Sequence, residues 1–345
     1  MMREEMRQGR YSSRLRLAGR RAGTLSLGMA SPHSTGQAPF FIVQNTGSGR
    51  DNAHDVQATI RQVLDAAGRR HELIPVDDGR QLPAAAQAAV ERARQQGGIV
   101  VAAGGDGTLS AVAQVVLGTG LPFGILPQGT FNYFGRTYGI AQDTEAAARA
   151  LVAARPQPVQ VGLVNGRVFL INASLGLYPQ LLEDREAYKQ RFGRSRAVAL
   201  WSALATLARA HRQLAVQLEH EGQVRQLRTP TIVIGNNALQ LEQVGIAQAG
   251  ELARGRLVAM GVRPAGTLAL YGLVLRGWLS RLSDADHVFS FGFDRLTVRV
   301  GRGRRRTKVA LDGEIHWLDA PLEFTVSPQP LLLLVPPEAQ RLERA

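Results

Sequence analysis

The chain has 345 residues, of which 45% are hydrophobic, and a formal net charge of +13 at pH 7. This length and composition are typical of a globular protein with about two domains. The absence of cysteine excludes disulfides, thiolate nucleophiles and Cys-ligated zinc. No apolar run reaches the roughly 18–20 residues that span a bilayer, and residues 24–30 are too short and polar for a signal-peptide core. The sequence therefore predicts a cytoplasmic protein.

The positive charge comes almost entirely from arginine, since lysine occurs only at Lys189 and Lys308. This bias has two interpretations, genomic base composition or a surface that attracts anions through bidentate guanidinium contacts. Anionic lipid surfaces, nucleotides and nucleic acids are the candidate partners. No motif with interleaved basic and aromatic residues is present, so we expect a membrane surface and no nucleic acid.

The first half of the chain has an α/β pattern. Residues 1–37 are rich in Arg, Ser and Gly, which predicts either a disordered basic leader or an over-extended translation start. Beyond them, strands are predicted at 40–43, 73–76, 99–103 and 123–126, and helices at 56–67, 83–95, 109–117 and 144–154. Such alternation indicates a parallel, doubly wound sheet with its ligand at the carboxyl ends of the strands. The proline-rich segment 155–158 ends this domain, predicted at 38–155.

The second half, residues 156–336, consists mainly of short alternating segments and predicts an antiparallel sandwich or barrel. Strands are predicted at 168–172, 214–218, 231–234, 256–262, 288–293, 296–300, 322–326 and 331–335. Two helical insertions are predicted at 196–210 and 266–282, and residues 337–345 form a tail. The insertion at 266–282 is notably apolar, which fits either a helix between sheet layers or the wall of an acyl-chain pocket.

Three glycine-containing turns, at 45–50, 104–108 and 126–132, follow predicted strands. A strand that ends in such a turn and opens a helix leaves backbone N–H groups free to bind phosphate. Asp106 lies among the glycines of the second turn. It either holds a metal ion that neutralises phosphate charge or simply forms the turn.

A second acidic motif, residues 311–314, places Asp312 and Glu314 on either side of a glycine. Paired carboxylates can divide the roles of structural support and general base, although Asp-Gly is also the commonest hairpin turn. The basic run 302–308 leads into this motif. It is either a solvated hairpin tip or a surface that docks on an anionic membrane.

Together, Asn-Thr-Gly-Ser-Gly-Arg at 45–50, Gly-Gly-Asp-Gly-Thr at 104–108, Leu-Pro-Gln-Gly-Thr-Phe-Asn at 126–132 and Leu-Asp-Gly-Glu at 311–314 resemble the diacylglycerol kinase catalytic-domain family over about residues 39–335. This family includes bacterial lipid kinases and sphingosine kinases. The resemblance implies a nucleotide-binding α/β domain similar to those of NAD kinase and phosphofructokinase, followed by a β-sandwich domain for the lipid. It also implies transfer of the γ-phosphoryl group of ATP to a lipid hydroxyl with Mg²⁺, peripherally at the inner membrane surface, and a homodimer, since family members are often dimers.

The resemblance assigns roles by position. The nucleotide would be lined by Asn45, Ser48, Gly49, Arg50, Gly104, Gly105, Asp106, Gly107, Thr108, Gly129, Thr130 and Asn132. Glu314 holds the position of the proton acceptor, with Asp312 beside it, and Asp106 would hold Mg²⁺ with ATP.

Two positions depart from the family pattern. Tyr133 stands where many bacterial members have Asp, and Arg254 stands where they have the Asp of a structural Mg²⁺ site, so we expect that metal site to be absent. Arg254 would then pair with a carboxylate. Two alternatives to a lipid kinase remain open: a non-catalytic nucleotide or lipid sensor of the same fold, and a kinase for a soluble substrate such as NAD.

Overall fold

Three six-stranded sheets form the frame of the protein in this computed structural model, which describes residues 37–47, 52–177, 179, 213–263, 288–301 and 305–342. Several predictions lie outside these residues: nearly all of the leader, the turn residues Ser48, Gly49 and Arg50, and the helical insertions at 196–210 and 266–282.

The first sheet belongs to the predicted α/β domain. Its strands are β1 (Phe40–Asn45), β2 (His71–Val76), β3 (Ile99–Gly104), β4 (Pro122–Pro127), β5 (Arg155–Val159) and β18 (Leu331–Val335), in the order β2-β1-β3-β4-β18-β5. The helices of this domain are α1 (Ala53–Ala66), α2 (Leu82–Gln96), α3 (Asp106–Val116), α4 (Tyr133–Thr137) and α5 (Thr144–Ala153).

Helices cover both faces of this sheet, because strand side chains alternate between the faces. Phe41 and Val43 of β1 pack in one cluster with α2 and α3, whereas Phe40 and Ile42 pack in the other with α1 and α5. The first four strands of the sequence, β1 to β4, pair in parallel. The α/β prediction for this half of the chain is confirmed.

Two features of the first sheet differ from the prediction. Residues 331–335, expected in the sandwich, form β18 and pair in parallel with β4. Strand β5 then pairs antiparallel with β18, so the sheet is mixed rather than wholly parallel. The run Leu331–Val335 is almost fully buried, and a continuous apolar strand of this kind fits a sheet with both faces covered. The chain therefore returns to its first domain after completing the second.

The second domain contains the other two sheets. Its strands are β6 (Gly162–Val164), β7 (Arg167–Phe169), β8 (Asn172–Gly176), β9 (Leu214–His220), β10 (Gln223–Thr229), β11 (Thr231–Gly235), β12 (Leu257–Val262), β13 (Val288–Phe293), β14 (Arg295–Val300), β15 (Arg306–Leu311), β16 (Glu314–Asp319) and β17 (Leu322–Val326). The second sheet has the order β10-β9-β14-β17-β6-β7 and the third β13-β12-β11-β8-β15-β16. A short helix, α6 (Ala238–Gln243), follows β11.

The two sheets of this domain face each other across one core. Phe324 of the second sheet and Leu257 of the third, for example, belong to the same fully buried cluster. The predicted strand at 168–172 is in fact two strands, β7 and β8, which belong to opposite sheets and are joined through Leu170 and Ile171. Within the described ranges, no helix combines the length and apolar character needed to cross a membrane.

We predict that the return of β18 to the first sheet is a major source of stability. Leu333 is completely buried in that sheet, so Leu333→Ala should lower the free energy of unfolding by about 2–5 kcal/mol in urea titrations monitored by circular dichroism. Its neighbour Leu332 is only partly buried, which makes Leu332→Ala the matched control with a smaller loss. Equal losses in the two variants would contradict the assignment.

Candidate active site

The candidate site begins at the carboxyl ends of β1, β3 and β4, which are adjacent in the first sheet. Asn45 ends β1, and its Nδ2 donates to Thr108 Oγ1 in the first turns of α3 at 3.0 Å. Gly104 ends β3 opposite Pro127, the last residue of β4. The glycine-containing turns that the sequence analysis singled out therefore meet at one edge, as far as they are described.

The turns after β3 and β4 pack backbone against backbone. A side chain at Gly129 would place its Cβ 2.9 Å from the Cα of Gly105, so only glycine permits this approach. Asn132 braces the second turn, because its Oδ1 accepts from Gly129 N at 2.8 Å and its Nδ2 donates to Gly129 O at 3.0 Å. Asn132 is 2% exposed, so this side chain shapes the loop rather than presenting its amide to a ligand.

Asp106 lies at the start of α3 and is held by α4. Its carboxylate accepts from Tyr133 N at 3.3 Å and Phe134 N at 3.4 Å, at the N-terminus of that short helix. Burial raises the pKa of Asp106 to about 6, and the nearby charge of Asp312 adds to this shift. Tyr133, one of the departures from the family pattern, thus contacts Asp106 through its backbone.

Asp312 anchors the hairpin tip between β15 and β16. Its carboxylate accepts the backbone N–H groups of Leu170, Ile171 and Asn172 at 2.7–2.9 Å, and the hydroxyl of Ser110 on α3 also donates to it. Asp312 and Gly313 form the two-residue turn of this hairpin, and both have the positive φ that such a turn requires, 47° at Asp312. Burial nevertheless raises its pKa. Of the two roles open to a carboxylate pair, these four donors give Asp312 the structural one.

Glu314, at the start of β16, reaches the glycine turn of the first domain. An alanine Cβ at Gly107 would lie 2.9 Å from Glu314 Cδ, so the carboxylate occupies the space that the missing side chain leaves. Desolvation by the surrounding protein raises the pKa of Glu314, and the charge of Asp312 raises it further. The residue as a whole remains exposed to solvent.

Two features of the site were not identified from the sequence. Ser110 lies four residues after Asp106, one helical turn along α3, which places both on the face toward the hairpin tip. Gln44 Oε1 and Gln128 Nε2 are buried beside the turns without hydrogen-bond partners. Both glutamines could have been identified from the sequence by their position, since Gln44 directly precedes the first glycine turn and Gln128 lies within the third.

The donor set around Asp106 fits Mg²⁺ that is shared with a phosphate. Mg²⁺ binds oxygen ligands and is commonly held by one or two carboxylates together with substrate phosphates. Among the described residues, no three His, Asp or Glu side chains converge in a way that could hold a metal by themselves. Asp106 would therefore be a partial ligand, and its role in metal binding stays a prediction.

Arg254 lies at the end of a 3-10 helix, Ala247–Arg254, and pairs with Glu251 at 2.5 Å. Glu251 also pairs with Arg256 at 3.0 Å. The expected pairing of Arg254 with a carboxylate is therefore found.

An apolar pocket of about 330 Å³ begins beside the acidic residues. Tyr133 and Asn172, whose backbone N–H groups bind Asp106 and Asp312, line one end of it. Its walls come mainly from β11, β12 and the residues after α6, and they include Val233, Val244, Ile246, Met260 and Val262. The pocket lies on the face of the third sheet that is turned away from the sandwich core.

Residues 39–164 match the family model described as "Diacylglycerol kinase catalytic domain". The diacylglycerol kinase of Bacillus subtilis is 32% identical over 149 residues, which cover 41% of this chain and 47% of that protein. A probable lipid kinase YegS-like of Klebsiella pneumoniae is 38% identical over 79 residues, 22% of this chain and 27% of that protein.

In fold, the chain is similar to a crystal structure of a diacylglycerol kinase from Bacillus anthracis, with a TM-score of 0.66 and 20% identity over 87% of this chain and 98% of that one. The sequence matches to the two curated relatives, by contrast, span 27% and 47% of those proteins. The match to the family model, over residues 39–164, covers the domain that carries the glycine turns.

We predict that Asp106 destabilises the folded protein as it ionises. Because its pKa rises from 3.8 to about 6 on folding, the folded chain retains a proton that the unfolded chain releases between these pH values. The free energy of unfolding should therefore fall with rising pH in the parent relative to Asp106→Asn, by up to about 3 kcal/mol between pH 3 and 7. Urea titrations at several pH values measure this difference, with Asp319→Asn, which removes an exposed carboxylate, as control. A difference that does not change with pH would contradict the shift.

Proposed function

This chain belongs to the diacylglycerol kinase catalytic-domain family through residues 39–164, and from that membership we propose that it transfers the γ-phosphoryl group of ATP to a hydroxyl group of a lipid. The strand order β2-β1-β3-β4, with glycine turns at the carboxyl ends, supports the further proposal that its first domain is of the NAD-kinase and phosphofructokinase type.

One observation carries the proposal: Glu314 of the second domain lies against Gly107 of the first. Gly107 is in the first turn of α3, where backbone N–H groups lack helical partners and the helix dipole favours anions. A triphosphate held at this helix start would thus lie next to a carboxylate, which is the arrangement that transfer to an alcohol requires.

In the proposed reaction, Glu314 accepts the proton of the lipid hydroxyl. The resulting oxygen forms a bond to the γ-phosphorus while the bond from that phosphorus to the β,γ-bridging oxygen breaks and ADP leaves. A raised pKa suits Glu314 to this role, since a general base is most effective when its pKa approaches the working pH. Mg²⁺, when bound, would neutralise phosphate charge, and Asp106 is the residue that would hold it.

The apolar pocket supports a lipid as the acceptor. It begins at Tyr133 and Asn172, next to the acidic cluster, and continues over aliphatic side chains of the third sheet. An acyl chain in this pocket would leave the adjoining hydroxyl near Glu314. A soluble acceptor such as NAD would instead leave those aliphatic walls without a partner.

The edge that we propose docks on the membrane lies on the same sheet face as the pocket. Lys308 of β15 lies opposite Trp317 of β16 in the sheet. Two residues further along β15, Ala310 lies opposite Ser174 of β8, and Ser174 lies opposite Val233 of the pocket, so these residues share one face of the sheet. Trp317 is 53% exposed, and Lys308 Nζ lies 5.3 Å from its ring centroid. An exposed Trp with basic neighbours is suited to the interface of an anionic bilayer. We therefore propose peripheral action at the inner membrane surface; a homodimer stays an expectation from the family.

We predict that Glu314→Gln loses about 10²–10⁴-fold in turnover because it cannot accept the proton, while ATP binding is retained. The measurement is transfer of radiolabelled phosphate from ATP to a panel of lipids, separated by chromatography. Glu323→Gln, which changes an acid of β17 that pairs with Arg295, is the matched control and should keep full activity.

Other outcomes of this experiment are decisive. Full turnover in Glu314→Gln would remove Glu314 from the reaction. ATP binding without transfer to any lipid in the parent protein would favour a sensor, and label in a soluble acceptor would favour the other kinase class.

We also predict that the Trp317–Lys308 edge mediates membrane binding. Lys308→Gln should weaken co-sedimentation with vesicles rich in phosphatidylglycerol about fivefold, since one basic residue near an anionic surface contributes about 1 kcal/mol. Trp317→Ala should weaken it further, and binding should fall with added salt. Arg299→Gln, which removes an exposed cation of the second sheet, is the control. Co-sedimentation that is the same with neutral and anionic vesicles, and the same for the parent and both edge variants, would contradict the proposal.

A further inference from the structure

A second cleft, of about 690 Å³, lies at the opposite edge of the sandwich from the Trp317–Lys308 edge. It is flanked by β10 and β13, the edge strands of the second and third sheets. Its volume falls within the range of about 300–1,000 Å³ that is common for small-molecule sites. Neither the acidic cluster nor the apolar pocket shares a residue with it.

The walls of this cleft continue the apolar core of the sandwich. Leu218 of β9 and Phe291 of β13 both pack with that core, and Leu227 of β10 lies against it. The ring of His220 lies 5.4 Å from that of Phe291. The inner part of the cleft therefore presents a surface that suits a hydrocarbon chain.

The cleft departs from an ordinary sandwich at Arg225. Arg225 pairs with Leu218 across the strands, so it stands on the face of the second sheet that points inward, where apolar residues are expected. Its side chain donates to Gln223 Oε1 at 3.1 Å. Arg225 remains exposed to solvent at this edge of the sheet, so its guanidinium can receive an anion that enters the cleft.

Arginines dominate the charge of this cleft. Arg263 lines it together with Arg225, and within the described parts of the chain neither forms an ion pair with a carboxylate. Arg228 also borders the cleft, but it pairs with Ala215, which places its side chain on the outward face of the sheet. The one acid that lines the cleft, Glu221, lies 3.5 Å from Arg256, a residue outside it. Guanidinium groups bind carboxylate and phosphate bidentately.

We propose that this cleft binds a single-chain amphiphile with an anionic headgroup, its chain against Leu218 and Phe291 and its head at Arg225. The headgroup chemistry is that of a carboxylate or a phosphate monoester, as in a long-chain fatty acid or a lysophosphatidate. Both ends of such a molecule meet a matching surface, which an inorganic anion or an uncharged alcohol would not. This site is separate from the proposed catalytic site.

The test is displacement of a fluorescent long-chain fatty acid from the whole protein, without ATP and below the micellar concentration of each competitor. Oleate and oleoyl lysophosphatidate should both displace the probe, and whichever binds more tightly identifies the headgroup. Oleyl alcohol and inorganic phosphate should displace it at least about tenfold less well, because each lacks one half of the match.

Arg225→Gln should weaken probe binding about tenfold or more, and Arg225→Lys should restore part of it. Arg299→Gln, on the outward face of the same sheet, should have no effect. Thermal unfolding of each variant verifies that the fold is intact. Because Arg225 is exposed, we expect its substitution to leave the unfolding temperature unchanged.

Equal binding by Arg225→Gln and the parent, or displacement by oleyl alcohol as effective as by oleate, would overturn the proposal. So would loss of binding in Met260→Trp, which fills the apolar pocket near the acidic cluster, because the probe would then occupy that pocket. Since no ATP is present, failure here leaves the kinase assay unaffected, and failure of the kinase assay leaves this result standing.

Discussion

The site depends on the hydrogen bonds to one carboxylate, that of Asp312. It accepts three consecutive backbone N–H groups from the segment that links β7 to β8, and the hydroxyl of Ser110 from α3. These donors come from both domains. They hold the β15–β16 hairpin tip at the start of α3, which brings Glu314 against Gly107. Hydrogen bonds to a charged group are stronger than neutral ones, which makes this an effective anchor.

The same arrangement concentrates negative charge. Burial raises the pKa values of Asp106, Asp312 and Glu314, and the charge of Asp312 raises those of Asp106 and Glu314 further. Such a cluster has an unfavourable free energy in the absence of cations, and raised pKa values of this kind are typical of functional sites. The folded protein thus gives up stability at a place where, in the proposed reaction, a proton must be accepted and a cation held.

The third sheet connects this cluster to the proposed membrane-facing surface. Its inward face belongs to the sandwich core, whereas its outward face carries the apolar pocket and, at its edge, Lys308 and Trp317. A lipid taken from a bilayer at that edge would remain on one sheet face until it reached Asn172, beside Asp312. Because successive side chains of a strand point to opposite faces, the same strands can supply the sandwich core on one face and the apolar pocket on the other.

The α/β pattern of the first domain, the β-rich character of the second and the motifs of the family can be predicted from the sequence, because these are local signals of periodicity, turn chemistry and short spacing. The sequence does not reveal that residues 331–335 return to the first sheet, that Leu170 and Ile171 donate to Asp312, or that Asn132 braces a loop. The local sequence of a strand does not specify its neighbour in the sheet, and a carboxylate does not specify its hydrogen-bond donors. Both depend on contacts between segments far apart in the chain, here 142 residues apart for Leu170 and Asp312.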